Sequence, residues 1–340
     1  MVKLVTIFLN VLFLVVGMVL LIKGADFFVN GASAVAKRLK VPAMFIGLTI
    51  VALGTSLPEL SVSVTSAISG SIDMSVGNIV GSNLFNMLFI LGLVAIFNPV
   101  PMSKTTHKID LPFLVAITGA LLLFSFDKIM NGESKSMVSR TESVLLLIFL
   151  VLYLYVLITN ANRKRKRQIK QEKYLGVQNS QEENEIKDYK VWQIVLFLIV
   201  GLAMVVFGGE CVSTTAQYLA IKMGMSEALV GLTIVALGTS LPELVTSVVA
   251  AKKGENDLAL GNVIGSNIMN IALILGSVGL IAQAPISVEI VTDIAILFGA
   301  TLVFVVACAR KNNISKREGI VLFLIYIAYL AFAIIRNYCF

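Results

Sequence analysis

Two glutamates, Glu59 and Glu243, are the only charged residues in the stretches 41–72 and 228–251. An acid at membrane depth is costly and usually marks function. Each stands in the same setting. Thr55 and Ser56 precede Glu59 by four and three residues, as Thr239 and Ser240 precede Glu243. On a helix that spacing shares a face, so three side-chain oxygens are expected to gather at each acid. Pro58 and Pro242 lack the N–H that would bond the carbonyls of Gly54 and Gly238, so backbone carbonyls are expected to be freed there. Carboxylates, hydroxyls and free carbonyls suit a hard cation. Calcium takes six to eight such oxygens, and two glutamates neutralise one Ca²⁺ or two Na⁺. Zinc is disfavoured, with no Cys or His nearby.

The setting is shared because the chain repeats itself. Gly47 to Leu60 and Gly231 to Leu244 both read GLTIVALGTSLPEL, 184 residues apart. At the same offset GNIVGSNLFN from Gly77 is matched by GNVIGSNIMN from Gly261. These second phrases place Asn78, Ser82 and Asn86, and Asn262, Ser266 and Asn270, four residues apart on one helix stripe. Ser82, Asn86, Ser266 and Asn270 read as neutral ligands. Asn78 and Asn262, nearer the span starts, fit interhelical hydrogen bonding equally well. Gly77 with Gly81, and Gly261 with Gly265, are small-xxx-small pairs that permit close helix approach.

The elements that must position these residues are membrane helices. The 340 residues are 57% hydrophobic and only 14% charged, against about 25% charged in a soluble domain. Apolar runs of membrane-spanning length recur throughout. Ten spans are expected, at roughly 4–36, 42–69, 72–97, 109–127 and 142–160, then 191–220, 226–251, 256–282, 287–309 and 317–336. The first and sixth are too long for a straight crossing, so tilt or an interfacial extension is expected. The run from Leu4 resembles a signal peptide, but its counterpart at the repeat offset is internal, so it reads as a retained helix. Five spans per half is odd. The second half must enter from the opposite side, which makes residues 1–160 and 191–340 inverted repeats.

Between them, 161–190 is polar, opens with Arg163-Lys164-Arg165-Lys166-Arg167, and reads as a flexible or partly helical linker. No globular module surrounds the basic run, so nucleic-acid binding is excluded and a topology signal is expected. With the linker in the cytoplasm, 20 of the 27 Lys and Arg fall on that side. The expectation is a multi-pass cell-membrane protein, embedded in the lipid bilayer, with both termini outside. The three cysteines, Cys211, Cys308 and Cys339, fit packing, and His107, Asp110 and Asp127 read as solvated. Asp26 and Glu210 correspond at the 184 offset and read as structural or interfacial, with an ion path as the alternative.

At GTSLPE and GNxxGSNxxN, present in both halves, the chain resembles the cation/calcium exchanger superfamily, close to its prokaryotic sodium/calcium exchangers. The resemblance covers all ten spans. It implies an all-α integral membrane fold of ten helices in two inverted five-helix repeats. Spans two, three, seven and eight hold the ions, and the first span of each half slides. It implies that Glu59 and Glu243 bind calcium and share sodium. Thr55 and Thr239 lend backbone oxygens to calcium; Ser56, Ser240, Ser82 and Ser266 bind sodium by side chain; Ala52 and Ala236 bind it by carbonyl; Asn86 is the central asparagine. Asn270 departs from the pattern, since potassium-dependent members carry Asp there, so exchange is expected to be potassium-independent and electrogenic. The short linker leaves no room for calcium-sensing domains.

The reading is a Na⁺/Ca²⁺ antiporter needing no cofactor, its partners being the transported Ca²⁺ and Na⁺. A proton-driven calcium antiporter is the alternative, and a cation channel a further one. An enzyme is disfavoured: paired acids can do acid–base work, but no HExxH or other catalytic constellation is present.

Overall fold

The computed structural model describes residues 2–126, 136–175, 189–224, 236–282, 284–310 and 313–339. The start of the expected seventh span (226–235), Asp127, and linker residues 176–188 lie outside them. The elements are helices joined by two tiny β pairs. In order they are α1 (Val2–Leu39); α2 (Ala43–Ile46, a π-helical turn Gly47–Val51, Ala52–Thr55); α3 (Leu57–Ile68); and α4 (Ile72–Leu84, a π-helical turn Phe85–Ile90, Leu91–Phe97). Next come α5 (a π-helical turn Thr106–Asp110, then Leu111–Phe124), α6 (Arg140–Leu175), α7 (Val191–Lys222), α8 (Ala236–Thr239) and α9 (Leu241–Lys252). The chain ends with α10 (Asn256–Met269, a π-helical turn Asn270–Leu275, Gly276–Ile281), α11 (Val288–Arg310) and α12 (Lys316–Cys339). Among the described residues eight helices are long and apolar enough to cross a membrane, and α2 with α3 forms a ninth, bent by 46°.

Burial sorts the helices. The apolar windows of α4 and α10 are 78% buried, against 22–33% in the other six. So α4 and α10 form the centre, and the rest wrap them with apolar outer faces, as lipid-facing helices do. α1 and α7 have 38 and 32 residues, about 57 and 48 Å at 1.5 Å per residue. A bilayer core is about 30 Å thick, so both are tilted or overhang, as their length in sequence predicts.

α1 and α7 pack along each other through glycines. A Cβ on Gly24 would lie 2.9 Å from the Gly201 carbonyl, and one on Gly208 would lie 2.8 Å from that of Gly17. The pairing is self-complementary, because Gly17 and Gly24 correspond to Gly201 and Gly208 at the repeat offset. The β pairs have the same symmetry. β1 (Val100–Pro101), after α4, pairs antiparallel with β4 (Asn313–Ile314), before α12. β3 (Ala284–Ile286), after α10, pairs with β2 (Ser136–Val138), before α6. Each half thus holds a strand of the other.

α6 runs past the expected span end at 160, through the basic run to Leu175; Arg, Lys, Gln and Glu are good helix formers, so the linker is partly helical, one of the two forms expected of it. Two sequence expectations change. His107 is half-buried and not a free loop residue: its ring nitrogens lie 3.1 Å from the Ser103 carbonyl and 2.9 Å from that of Cys308, tying α5 to the end of α11. Asp110 is buried, and the Tyr153 hydroxyl donates to its Oδ1 at 3.2 Å. Both sit on the π-helical turn that opens α5, where sequence put His107 in a loop and Asp110 at the solvated end of a span.

Candidate cation site

Helix breaks build the site. Ser56 (φ −83°, ψ 7°) separates α2 from α3, and Ser240 (φ −92°, ψ 7°) separates α8 from α9. Pro58 and Pro242 follow within the first turn of the new helix, where a missing N–H costs nothing. Glu59 and Glu243 lie in those first turns and are fully buried.

The breaks alter the expected pairing. Helical spacing puts Ser56 with Glu59, but the chain turns between them. Instead the Ser56 hydroxyl crosses to Glu243 Oε1 at 3.0 Å, and Ser240 crosses to Glu59 Oε1 at 2.9 Å. Each half therefore holds the other's acid. Ser240 also lies 3.0 Å from Ser82 Oγ, and Ser266 donates to Glu243 Oε1 at 3.4 Å. The threonines cross too. Thr55 donates to Asn262 Oδ1 at 3.1 Å and Thr239 to Asn78 Oδ1 at 3.2 Å. The amides of Asn78 and Asn262 donate to Ser63 at 3.2 Å and Ser247 at 2.9 Å. Asn78 and Asn262 thus serve as interhelical ties. The Ala52 carbonyl accepts the Ser56 N–H at 3.0 Å, and Ala236 opens α8.

Four residues singled out in sequence carry buried oxygens without a hydrogen bond among the described residues: Glu59 Oε2, Glu243 Oε2, Asn86 Oδ1 and Asn270 Oδ1. The π-helical turns at Phe85–Ile90 and Asn270–Leu275 carry the two asparagines; such turns recur at functional sites. Neither carboxylate pairs with a lysine, arginine or histidine among the described residues. An uncompensated buried carboxylate costs several kcal/mol, and buried polar atoms are nearly always satisfied. A desolvated cation between the two acids, drawing on neutral oxygens around them, would resolve both.

Sequence reasoning missed Asn83 and Asn267. The Asn83 amide donates to the Asn267 carbonyl at 3.2 Å, and the Asn267 amide returns to the Asn83 carbonyl at 3.4 Å. Asn83 Oδ1 also accepts from the Asn270 amide at 3.1 Å, which leaves Asn270 Oδ1 to turn elsewhere. The signal was present: both are the N of GSN, at the 184 offset. Ser63 and Ser247 repeat at that offset as well. Asp26 is ion-paired with Lys253 at 2.6 Å, whereas Glu210 lines a cavity.

The family model described as "Sodium/calcium exchanger protein" matches residues 9–159 and 193–335. CaxA of Alkalimonas amylolytica is 36% identical over 94% of this chain and 96% of its own length. The sodium/calcium exchanger MaX1 of Methanosarcina acetivorans is 32% identical over 94% and 97%. A solved structure of the sodium-calcium exchanger NCX_Mj superposes with a TM-score of 0.79 at 31% identity, covering 96% of this chain and 99% of that one. With matching phrases in both halves and two buried acids between them, this chain belongs to the sodium/calcium exchanger family of multi-pass membrane antiporters and is not an enzyme.

Proposed function

We propose that the chain exchanges Na⁺ for Ca²⁺ by alternating access at a single site around Glu59 and Glu243. The observation that carries this is the set of buried oxygens on Glu59, Glu243, Asn86 and Asn270 that have no hydrogen bond, and the two carboxylates that have no ion pair, among the described residues. Thr55, Thr239, Ser56, Ser240, Ser82, Ser266 and the carbonyls of Ala52 and Ala236 complete the set of ion ligands. The two acids neutralise one Ca²⁺ or two Na⁺. Asn270 adds an oxygen without charge, so exchange needs no potassium, and a third sodium makes it electrogenic. Ten spans form two inverted repeats, 1–160 and 191–340, in the cell membrane, with both termini outside and the 161–190 linker in the cytoplasm.

Calcium uptake into proteoliposomes tests the reading. An outward sodium gradient should drive uptake with potassium replaced by choline, and an inside-positive potential should change its rate. Uptake driven by a proton gradient and indifferent to sodium would favour the proton-coupled alternative. Loss of flux on potassium removal would contradict the role given to Asn270. Cysteine labels in the linker should react only from the cytoplasm, and labels at the termini only from outside.

A further inference from the structure

Beside the site, between α3, α7 and the α8–α9 break, lies a cavity of about 340 Å³. At roughly 30 Å³ per water it has room for on the order of ten. Its oxygens come from Ser61, Glu210, Ser213 and Thr239, and Pro58 and Pro242 bring it against the two breaks. Thr239 precedes Ser240, whose hydroxyl holds Glu59 at 2.9 Å. The cavity wall is therefore also the wall of the cation site. Glu210 is exposed. Thr214 donates to its carboxylate at 3.2 Å, and no lysine or arginine among the described residues pairs with it. Its counterpart Asp26 does have such a partner, Lys253, at 2.6 Å.

We propose that Glu210 is a cation-recruiting residue, its carboxylate concentrating Na⁺ and Ca²⁺ in a hydrated vestibule before they reach Glu59 and Glu243. This rests on the antiporter reading above. A fixed negative charge a few ångströms from a mobile cation in a water-filled cleft raises local cation concentration. The gain is roughly threefold for a monovalent ion, and about its square for a divalent one, because the energy scales with charge. Glu210 makes no coordination bond in the transport site, so it acts on capture and not on turnover.

The test uses Glu210→Gln in proteoliposomes, with ions added from the side to which the cavity opens. Apparent KM for Ca²⁺ should rise about tenfold and that for Na⁺ about threefold, with the maximal rate retained. Both effects should fade as choline chloride shortens the Debye length. A measurement independent of transport is the reactivity of Ser61→Cys with Cys211, Cys308 and Cys339 replaced by Ser. A cationic thiosulfonate should react faster than an anionic one, and Glu210→Gln should equalise them. Unchanged KM values with an unchanged reagent ratio would overturn the proposal, as would a Ser61→Cys thiol reached only by apolar reagents, which marks a lipid-filled cleft. If the parent chain moved no calcium in exchange for sodium, the antiporter reading would fail, while the reagent ratio would still decide whether Glu210 draws cations.

Discussion

The two halves share the fourteen-residue phrase letter for letter, yet its two copies sit beside different surroundings. Next to α9, Leu241 and Val245 pack with Leu21, Ala25, Val205 and Val212. Lys253 bridges to Asp26, and the Ser33 hydroxyl donates to Glu255. Next to α3, Leu57 is 42% exposed and Glu210 lines the 340 Å³ cavity. The phrase cannot cause the difference, because it is the same. The flanks can. At the repeat offset Val245, Lys253 and Glu255 stand where the first half has Ser61, Ser69 and Ser71. The apolar side chain and the two charges that hold α1 against α9 have no equivalents opposite α7. The repeated phrases build a site that both halves share, and the unrepeated flanks decide which approach to it is shut.

That comparison can be broken most decisively at the shared part. Glu59→Gln and Glu243→Gln should each lower sodium-driven calcium flux at least about a hundredfold, since each removes a charge that offsets Ca²⁺ in a low-dielectric site. Glu243 receives hydroxyls from Ser56 and Ser266, and Glu59 receives Ser240. A tolerated change at either acid would mean that the halves are unequal at the site itself. Next in size is Gly201→Ala, whose Cβ would come within 2.9 Å of the Gly24 carbonyl. Overpacking there should cost about 1–3 kcal/mol, seen as a lowered melting temperature and roughly tenfold slower flux. Gly299→Ala meets nothing within 4 Å among the described residues and should change neither.

Smaller effects sharpen the contrast between the flanks. The Asp26–Lys253 pair has side chains 42% and 28% exposed, so it is worth about 0.2–1 kcal/mol. Lys253→Met should therefore raise the reactivity of a Val245→Cys probe by about 1.4- to 5-fold, and an unchanged rate would remove the pair as a latch. The smallest expected effect is none. Phe27 and Phe197 stack with ring centroids 5.7 Å apart, between α1 and α7. Phe27→Cys and Phe197→Cys joined by a short crosslinker should leave flux intact, whereas arrest would show that the two helices must move independently.

Much of the candidate site was legible because the repeat singled out its polar residues. Glu59, Glu243, Asn86 and Asn270 all emerged from it, and all carry buried oxygens without a hydrogen bond among the described residues. What spacing could not show was the exchange of serines between halves. Helical periodicity assumes an unbroken helix, and ψ of 7° at Ser56 and Ser240 ends it. The β pairs were hidden because β1 and β4 are two residues long and their partners are in opposite halves. Asp110 was misjudged because a polar residue near a span end resembles a loop residue, and only the fold supplies Tyr153 beside it. The start of the fifth span was legible to within a few residues, α6 beginning at Arg140, but its cap was not: Ser139 and Glu142 exchange backbone-to-side-chain bonds at 2.7 and 3.3 Å there.

The glycine seam between α1 and α7 has a consequence for leakage. At Gly17, Gly24, Gly201 and Gly208 the two backbones meet with no room for a further side chain, so the contact holds α1 and α7 close together. Both flanks of the site lie beside these two helices, α9 being covered by α1 and α3 facing α7 across the cavity. If the pair shifts as one carriage, a stroke that uncovers one approach covers the other. The molecule then works as an airlock whose two doors hang on one frame. On the proposed reading, downhill sodium then could not run through without a calcium ion making the return trip, and the seam would be what keeps the stored gradient from being spent idly.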